Sequence, residues 1–153
     1  MNRPKFLKAG IRDVKFGANV TLVEPCNLYE CEIGDDVFIG PFVEIQRGVI
    51  VGERTRIQSH CFICEKVTIG DDCFVGHGVT FINDALRLGE VSFDSTDWEK
   101  TTVGDGVIIG SNATILPVTI ASGVMVGAGA VVTKDLLKPG VYVGAPARFL
   151  RKK

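Results

Sequence analysis

The stretch "IGDDVFIGPFVEIQRGVIVGERTRIQSHCFICEKVTIGDDCFVGHGVTF", Ile33 to Phe81, decides the fold. Aliphatic or aromatic residues stand at Ile33, Ile39, Ile45, Val51, Ile57, Ile63, Ile69, Val75 and Phe81, each six residues after the last. That spacing fits neither the period of an α-helix nor the simple alternation of an ordinary strand. Glycine commonly follows the aliphatic residue (Gly34, Gly40, Gly52, Gly70, Gly76). Four places after the aliphatic residue stands a small or β-branched one: Val37, Val43, Val49, Thr55, Cys61, Val67, Cys73 and Val79. Such a hexad reads as one short strand and a turn with two residues pointing inward, glycine supplying conformations denied to other residues. Three hexads close a triangular coil of about 18 residues, so the expected fold is an all-β parallel solenoid.

The same unit phases upstream at Phe16, Leu22 and Leu28, and downstream at Val103, Ile109, Ile115, Ile120, Val126 and Val132, with five-residue slips at Leu28 to Ile33 and Ile115 to Ile120. The domain plan is therefore a single solenoid domain over 1–153, with coils about 11–82 and 102–135. An excursion loop over about 83–101 interrupts them, and a C-terminal cap follows over about 136–153, expected as a short helical tail. The interruption "DALRLGEVSFDSTDWEK" is charged, aperiodic and holds the only tryptophan. A loop that long is not needed by the repeat, which points to function.

Composition narrows the classes. A chain of 153 residues that is 46% hydrophobic suits one domain with a substantial core. No apolar run is long enough to span a bilayer, and "MNRPKFLKAG" has no apolar signal region. The net charge is −1, with basic residues scattered until Arg148, Arg151, Lys152 and Lys153. That distribution points away from nucleic acid or a membrane as partner, while the tail suits one phosphorylated small molecule. Five cysteines, an odd number, fit reduced thiols in a cytoplasm. Cys61 and Cys73 occupy the small inward slot, as does Cys26 after Leu22, so they read as packing residues. Cys61 and Cys64 have no second pair to complete a zinc site, and no metal is expected.

With these residues in view, the chain resembles the left-handed parallel β-helix, hexapeptide-repeat acyltransferases over about residues 11–150. The tail "IGSNATILPVTIASGVMVGAGAVVTKDLLKPGVYVGAPARFLR" carries the most specific likeness. The left-handed winding, contrary to the usual crossover rule, is implied by the resemblance alone. The resemblance also implies a homotrimer with acetyl-CoA in the cleft between neighbouring prisms and an excursion loop beside its thioester. Carried over by motif, Ser111, Ala128, Thr133, Lys134, Arg148 and Arg151 match positions that contact CoA, the basic ones suiting its phosphates. "GHGVTFIND" followed by "WEKTTVGDGVIIGSNATILP" is similar to the branch that N-acetylates nucleoside-diphosphate-linked amino sugars in polysaccharide pathways. That branch typically reads Asn-Asp-x-x-Pro-Arg where this chain has Asn83-Asp84-Ala85-Leu86-Arg87-Leu88, without the proline. Branches acting on hydroxyls place a histidine in this loop, and residues 83–102 contain none.

The chemistry agrees with an amine. Acylating an alcohol requires a base to remove its proton. A sugar amine titrates around pH 8, by analogy with α-amino groups at about 7.7–8.0, so a neutral fraction exists at pH 7. Orientation then matters more than basicity. Asn83 could accept a hydrogen bond from the attacking amine, with Asp84 aligning either partner. His77 points outward near a corner, within reach of a substrate or neighbouring subunit, and His60, Glu44 and Gln46 lie in the coils before it. The plainer reading has Asn83 and Asp84 as the turn that leaves the coil, since both residues favour turns. Two rival classes stay open: a solenoid resembling the γ-class carbonic anhydrases, which need three histidines against two here, and a non-catalytic binding solenoid.

Overall fold

The computed structural model describes residues 4–6, 8–86 and 89–153. Twenty-one short strands stack in parallel on three faces. Face one holds β1 (Ile11–Arg12), β4 (Asn27–Tyr29), β7 (Glu44–Ile45), β10 (Phe62–Ile63), β13 (Thr80–Phe81), β16 (Thr114–Ile115) and β19 (Val131–Val132). Face two holds β2 (Lys15–Phe16), β5 (Glu32–Ile33), β8 (Ile50–Val51), β11 (Val67–Ile69), β14 (Thr101–Val103) and β17 (Thr119–Ile120). Face three holds β3 (Thr21–Leu22), β6 (Phe38–Ile39), β9 (Arg56–Ile57), β12 (Phe74–Val75), β15 (Ile108–Ile109), β18 (Met125–Val126), β20 (Val141–Val143) and β21 (Arg148–Arg151). Every neighbouring pair is parallel except β20 with β21. The architecture is the parallel β-helix expected from the hexads.

Register explains the repeat. Leu28, Ile45, Ile63, Phe81, Ile115 and Val132 stack as one buried column inside face one. The small slot is buried from Val37 to Val79, including Thr55, whose hydroxyl donates to the Gly70 carbonyl at 2.9 Å and accepts the Cys73 N–H at 3.0 Å. Cys61 and Cys73 are buried in their predicted slots, and Cys26 is half-buried against the core. Phe16 is in phase yet 41% exposed, because no coil lies beneath β2 to cover it.

Glycine serves the fold by a different means than expected. The glycine after each aliphatic residue is there for close approach: a Cβ on Gly110 would stand 2.4 Å from the Ala128 nitrogen, and one on Gly76 2.6 Å from the Ser111 nitrogen. Left-handed backbone falls two residues later, as at Asp36 (φ 56°), Phe42 (61°), Arg54 (55°), His60 (63°) and Asn112 (59°).

The C-terminal cap departs from the expected helix. No helix forms among the described residues. Instead β20 extends face three beside β18, and β21 folds back on it antiparallel. Val141 and Val143 are β-branched and favour strand, while Gly140, Gly144 and Pro146 do not sustain a helix. Tyr142 packs edge-on to Phe149 at 5.5 Å. Among the described residues no helix is long and apolar enough to cross a membrane.

Candidate functional site

Two corners border face one, and the candidate residues divide between them. The corner leading into face one stacks Pro41, Ser59, His77, Ser111 and Ala128, linked by backbone hydrogen bonds such as Asn112 N–H to the His77 carbonyl and Gly129 N–H to the Ser111 carbonyl, both 2.8 Å. Ser111 Oγ also accepts the His77 N–H at 3.2 Å. Arg148 joins this corner. It pairs with Val143, and residues 144 and 147 hydrogen-bond Val131 at the start of β19. His77, Ala128 and Arg148 are exposed.

The corner leading out of face one stacks Arg47, Glu65, Asn83, Pro117 and Lys134, as the bonds from Ile82 N–H to the Ile115 carbonyl (2.9 Å) and Leu116 N–H to the Val132 carbonyl (3.0 Å) require. Thr133 and Lys134 are exposed. Asn83 is half-buried, and its Nδ2 donates to the Glu65 carbonyl at 3.3 Å. Glu65 in turn holds Arg47 at 3.0 Å. Arg151 pairs with Val141 at the other end of the terminal hairpin and belongs to neither corner.

One chain does not bring His77 and Asn83 together. They stand at opposite ends of face one, with the Gly78 turn and strand β13 between them, a separation of at most roughly 20 Å for six residues at about 3.3 Å each.

The loop leaving at Asn83 is held by its own hydrogen bonds. Glu99 N–H donates to the Asn83 carbonyl at 2.8 Å. Asp84 spends one carboxylate oxygen on the Leu86 N–H at 2.8 Å and the other on the Ser92 N–H at 2.9 Å. Trp98 Nε1 donates to the Ser92 carbonyl at 3.1 Å, and Lys66 Nζ reaches the Trp98 carbonyl at 2.7 Å. Phe93, Val91 and Leu86 are exposed at 95%, 60% and 54%. Arg87 lies outside the described residues. Glu65, Arg47 and Lys66 carry no motif of their own, but Glu65 lies one coil before Asn83 at the same corner and Arg47 one coil before that.

Burial pushes the thiols of Cys31 and Cys61 up to about 11 and that of Cys64 to about 12. None is suited to act as a nucleophile near neutral pH. Among the described residues no three His, Cys, Asp or Glu side chains gather as a metal site.

Two family descriptions match the chain: "Bacterial transferase hexapeptide (six repeats)" over residues 30–65, and "Hexapeptide repeat of succinyl-transferase" over 66–83 and 100–134. No curated protein matches it in sequence. Among solved structures, the polySia-specific acetyltransferase NeuO is 23% identical, with a TM-score of 0.63, covering 94% of this chain and 82% of its own. A point mutant of AntD, an N-acyltransferase from Bacillus cereus in complex with dTDP-4-amino-4,6-dideoxyglucose and coenzyme A, is 22% identical with a TM-score of 0.64, covering 92% and 84%. A maltose O-acetyltransferase from Clostridium difficile is 24% identical with a TM-score of 0.59, covering 91% and 66%. At these identities the likeness is one of fold, and its examples include both nitrogen and oxygen acceptors.

Proposed function

We propose, from the hexapeptide-repeat transferase descriptions matched over residues 30–65, 66–83 and 100–134, that the chain is an acetyl-CoA-dependent N-acetyltransferase acting on the amino group of a nucleoside-diphosphate-linked amino sugar. The observation that carries the reading is Asn83, half-buried at the base of a hydrogen-bonded loop that contains no histidine. With Nδ2 committed to the Glu65 carbonyl, the side-chain oxygen is oriented to accept an amine N–H. The amine lone pair attacks the thioester carbonyl carbon, the C–N bond forms and the carbonyl oxygen gains charge. Collapse of that intermediate breaks the C–S bond, and the proton lost by nitrogen leaves with the CoA sulfur. Asn83 supplies orientation for a nucleophile that needs no strong base. Asp84 acts on Asn83 through the loop it knits together.

We assign CoA to Ser111, Ala128 and Arg148 at one corner and to Thr133 and Lys134 at the other. Arg151 is the outlying member of this set. Because the two corners lie at opposite ends of one face, a homotrimer best supports the reading: the Asn83 corner of one copy meets the His77 corner of the next. The exposed Phe93, Val91 and Leu86 give the loop an apolar surface suited to such a neighbour. Five unpaired thiols favour the cytoplasm as its compartment.

The test is incubation with acetyl-CoA and a panel of amino sugars, simple amines and sugar alcohols, following free thiol. Turnover with nucleotide-linked amines supports the reading, and neither turnover nor CoA binding refutes it.

A further inference from the structure

We infer that the outer surface of face one over its first coils is a nucleotide subsite, with the base of a nucleoside diphosphate stacked beneath Phe42 and its phosphates drawn to Arg12 and Arg47. The inference rests on the acyltransferase reading and extends it to how the acceptor is held.

Along the corner leading into face one, the left-handed turn position is filled by Phe42, His60, Gly78, Asn112 and Gly129. Glycine and asparagine suit that backbone, whereas a bulky side chain there is strained. Phe42 is nonetheless present and 57% exposed, with its ring stacked on His60 at 4.8 Å and 18°. In the coil beneath, Pro25 takes the equivalent position and no aromatic ring continues the stack. A cavity of about 260 Å³ lies there instead, apolar where Pro25, Cys26, Phe42 and Val43 line it and polar at Asn27 and Glu44. A flat ring entering it would extend the Phe42–His60 stack by one layer.

The polar wall is held in place. Asn27 Nδ2 donates to Glu44 Oε2 at 3.2 Å, Gln46 Nε2 donates to Glu44 Oε1 at 3.0 Å, and Gly10 N–H donates to Asn27 Oδ1 at 3.1 Å. A half-buried carboxylate so fixed can accept a ring N–H, as pyrimidine and purine edges offer. Further across the same face two arginines, Arg12 and Arg47, stand among the carboxylates of Glu44 and Glu65. The Arg12 guanidinium lies over the Tyr29 ring at 4.8 Å. Tyr29 is pushed up by burial and by Glu44 and Glu65, and eased down by Arg12 and Arg47, so these four charges surround one phenol. Arg47 pairs with Glu65 but is 56% exposed, an arrangement weak enough to yield to phosphate.

The order of groups matches the ligand. Phe42 and Arg47 stand five residues apart on either side of β7, at most roughly 16 Å at about 3.3 Å per residue, a reach suited to an extended nucleoside diphosphate. Beyond Arg47, two coils up the same corner, stands Asn83, where the sugar amine is placed.

The experiment is calorimetric titration of the intact protein with dTDP, UDP, adenosine 3′,5′-bisphosphate and acetyl-CoA. Wild type is compared with Phe42→Asn and Arg12→Gln. Phe42→Asn places at this turn the residue the fold already uses at Asn112, and its thermal midpoint confirms folding. The expected result is that dTDP or UDP binds wild type and binds Phe42→Asn about tenfold or more weakly, as loss of one stacking partner implies, with acetyl-CoA affinity unchanged. Unchanged pyrimidine nucleotide affinity in Phe42→Asn overturns the inference. So does a loss confined to acetyl-CoA and adenosine 3′,5′-bisphosphate, which would give the slot to CoA. Amine acetylation by a wild type that binds no nucleoside diphosphate overturns the subsite while leaving the acyltransferase reading intact. Failure of wild type to bind acetyl-CoA removes both.

Discussion

Glu99 donates its backbone N–H to the carbonyl of Asn83 at 2.8 Å, so the excursion loop closes on the residue from which it departs. The Asn83 side chain is anchored separately, to the Glu65 carbonyl one coil below. Main chain and side chain are thus held by two different segments, which gives the amide a fixed aim.

Asn83→Ala is expected to lower kcat about 10²-fold, the scale on which losing an orienting contact misplaces a nucleophile. Acetyl-CoA affinity should stay within about twofold. Steady-state kinetics with a titration of acetyl-CoA separates the two, and unchanged kcat would reduce Asn83 to a turn residue.

If the site joins the Asn83 corner of one copy to the His77 corner of another, two defective chains can complement each other. Asn83→Ala and His77→Ala homo-oligomers should each be impaired, while co-expressed mixtures regain activity through interfaces carrying both intact residues. Mixtures no better than the average of the parents would place the site within one copy.

Lys134→Ala and Arg148→Ala should each weaken CoA binding about tenfold at low salt, the scale of a charge-assisted hydrogen bond, with the difference shrinking as salt rises. Arg151→Ala should have a smaller effect, since Arg151 lies at the far end of the hairpin. Calorimetry at two salt concentrations checks the order.

Gly110→Val should destabilise the fold by about 1–3 kcal/mol or more, the cost of overpacking, because its Cβ would meet the Ala128 backbone at 2.4 Å. Gly106→Asn should be close to neutral, since a Cβ there meets nothing within 4 Å and asparagine accepts the φ of 61°. Denaturant midpoints distinguish the pair.

Four thiols are buried and Cys26 is half-buried, so a thiol reagent at neutral pH should find one fast cysteine and four that wait for unfolding. The folded-state values of Cys31, Cys61 and Cys64 stand above their ordinary value of 9.0. Unfolded thiols therefore ionise first, and stability present below about pH 9 should fall as pH rises through about 11. Denaturation midpoints across that range test the sign.

The solenoid was legible in the sequence because each hexad repeats one physical problem: an aliphatic residue inward, a glycine where coils touch, a small residue in the slot. Thr55 and Cys73 were readable as core from position alone, and the structure adds that they share a hydrogen bond. The purpose of glycine is not legible locally, because close approach is a contact with the next coil, 18 residues on for Gly110 with Ala128 and 35 for Gly76 with Ser111 across the loop. A basic, partly apolar tail suits a short helix when read locally, whereas strand pairing with β18, a contact remote in sequence, outweighs that local pattern. The division of candidate residues between two corners follows from the triangular cross-section and becomes visible once residues are counted by coil.

The central claim is that this fold presents its loop to an amine. It is tested most directly by mass analysis after incubation with acetyl-CoA and two nucleotide-linked sugars that differ only in carrying an amino or a hydroxyl group at the same ring position. The account predicts an N-acetylated product and stoichiometric free CoA from the amine, with little or none from the alcohol. Equal or faster acetylation of the alcohol would contradict it.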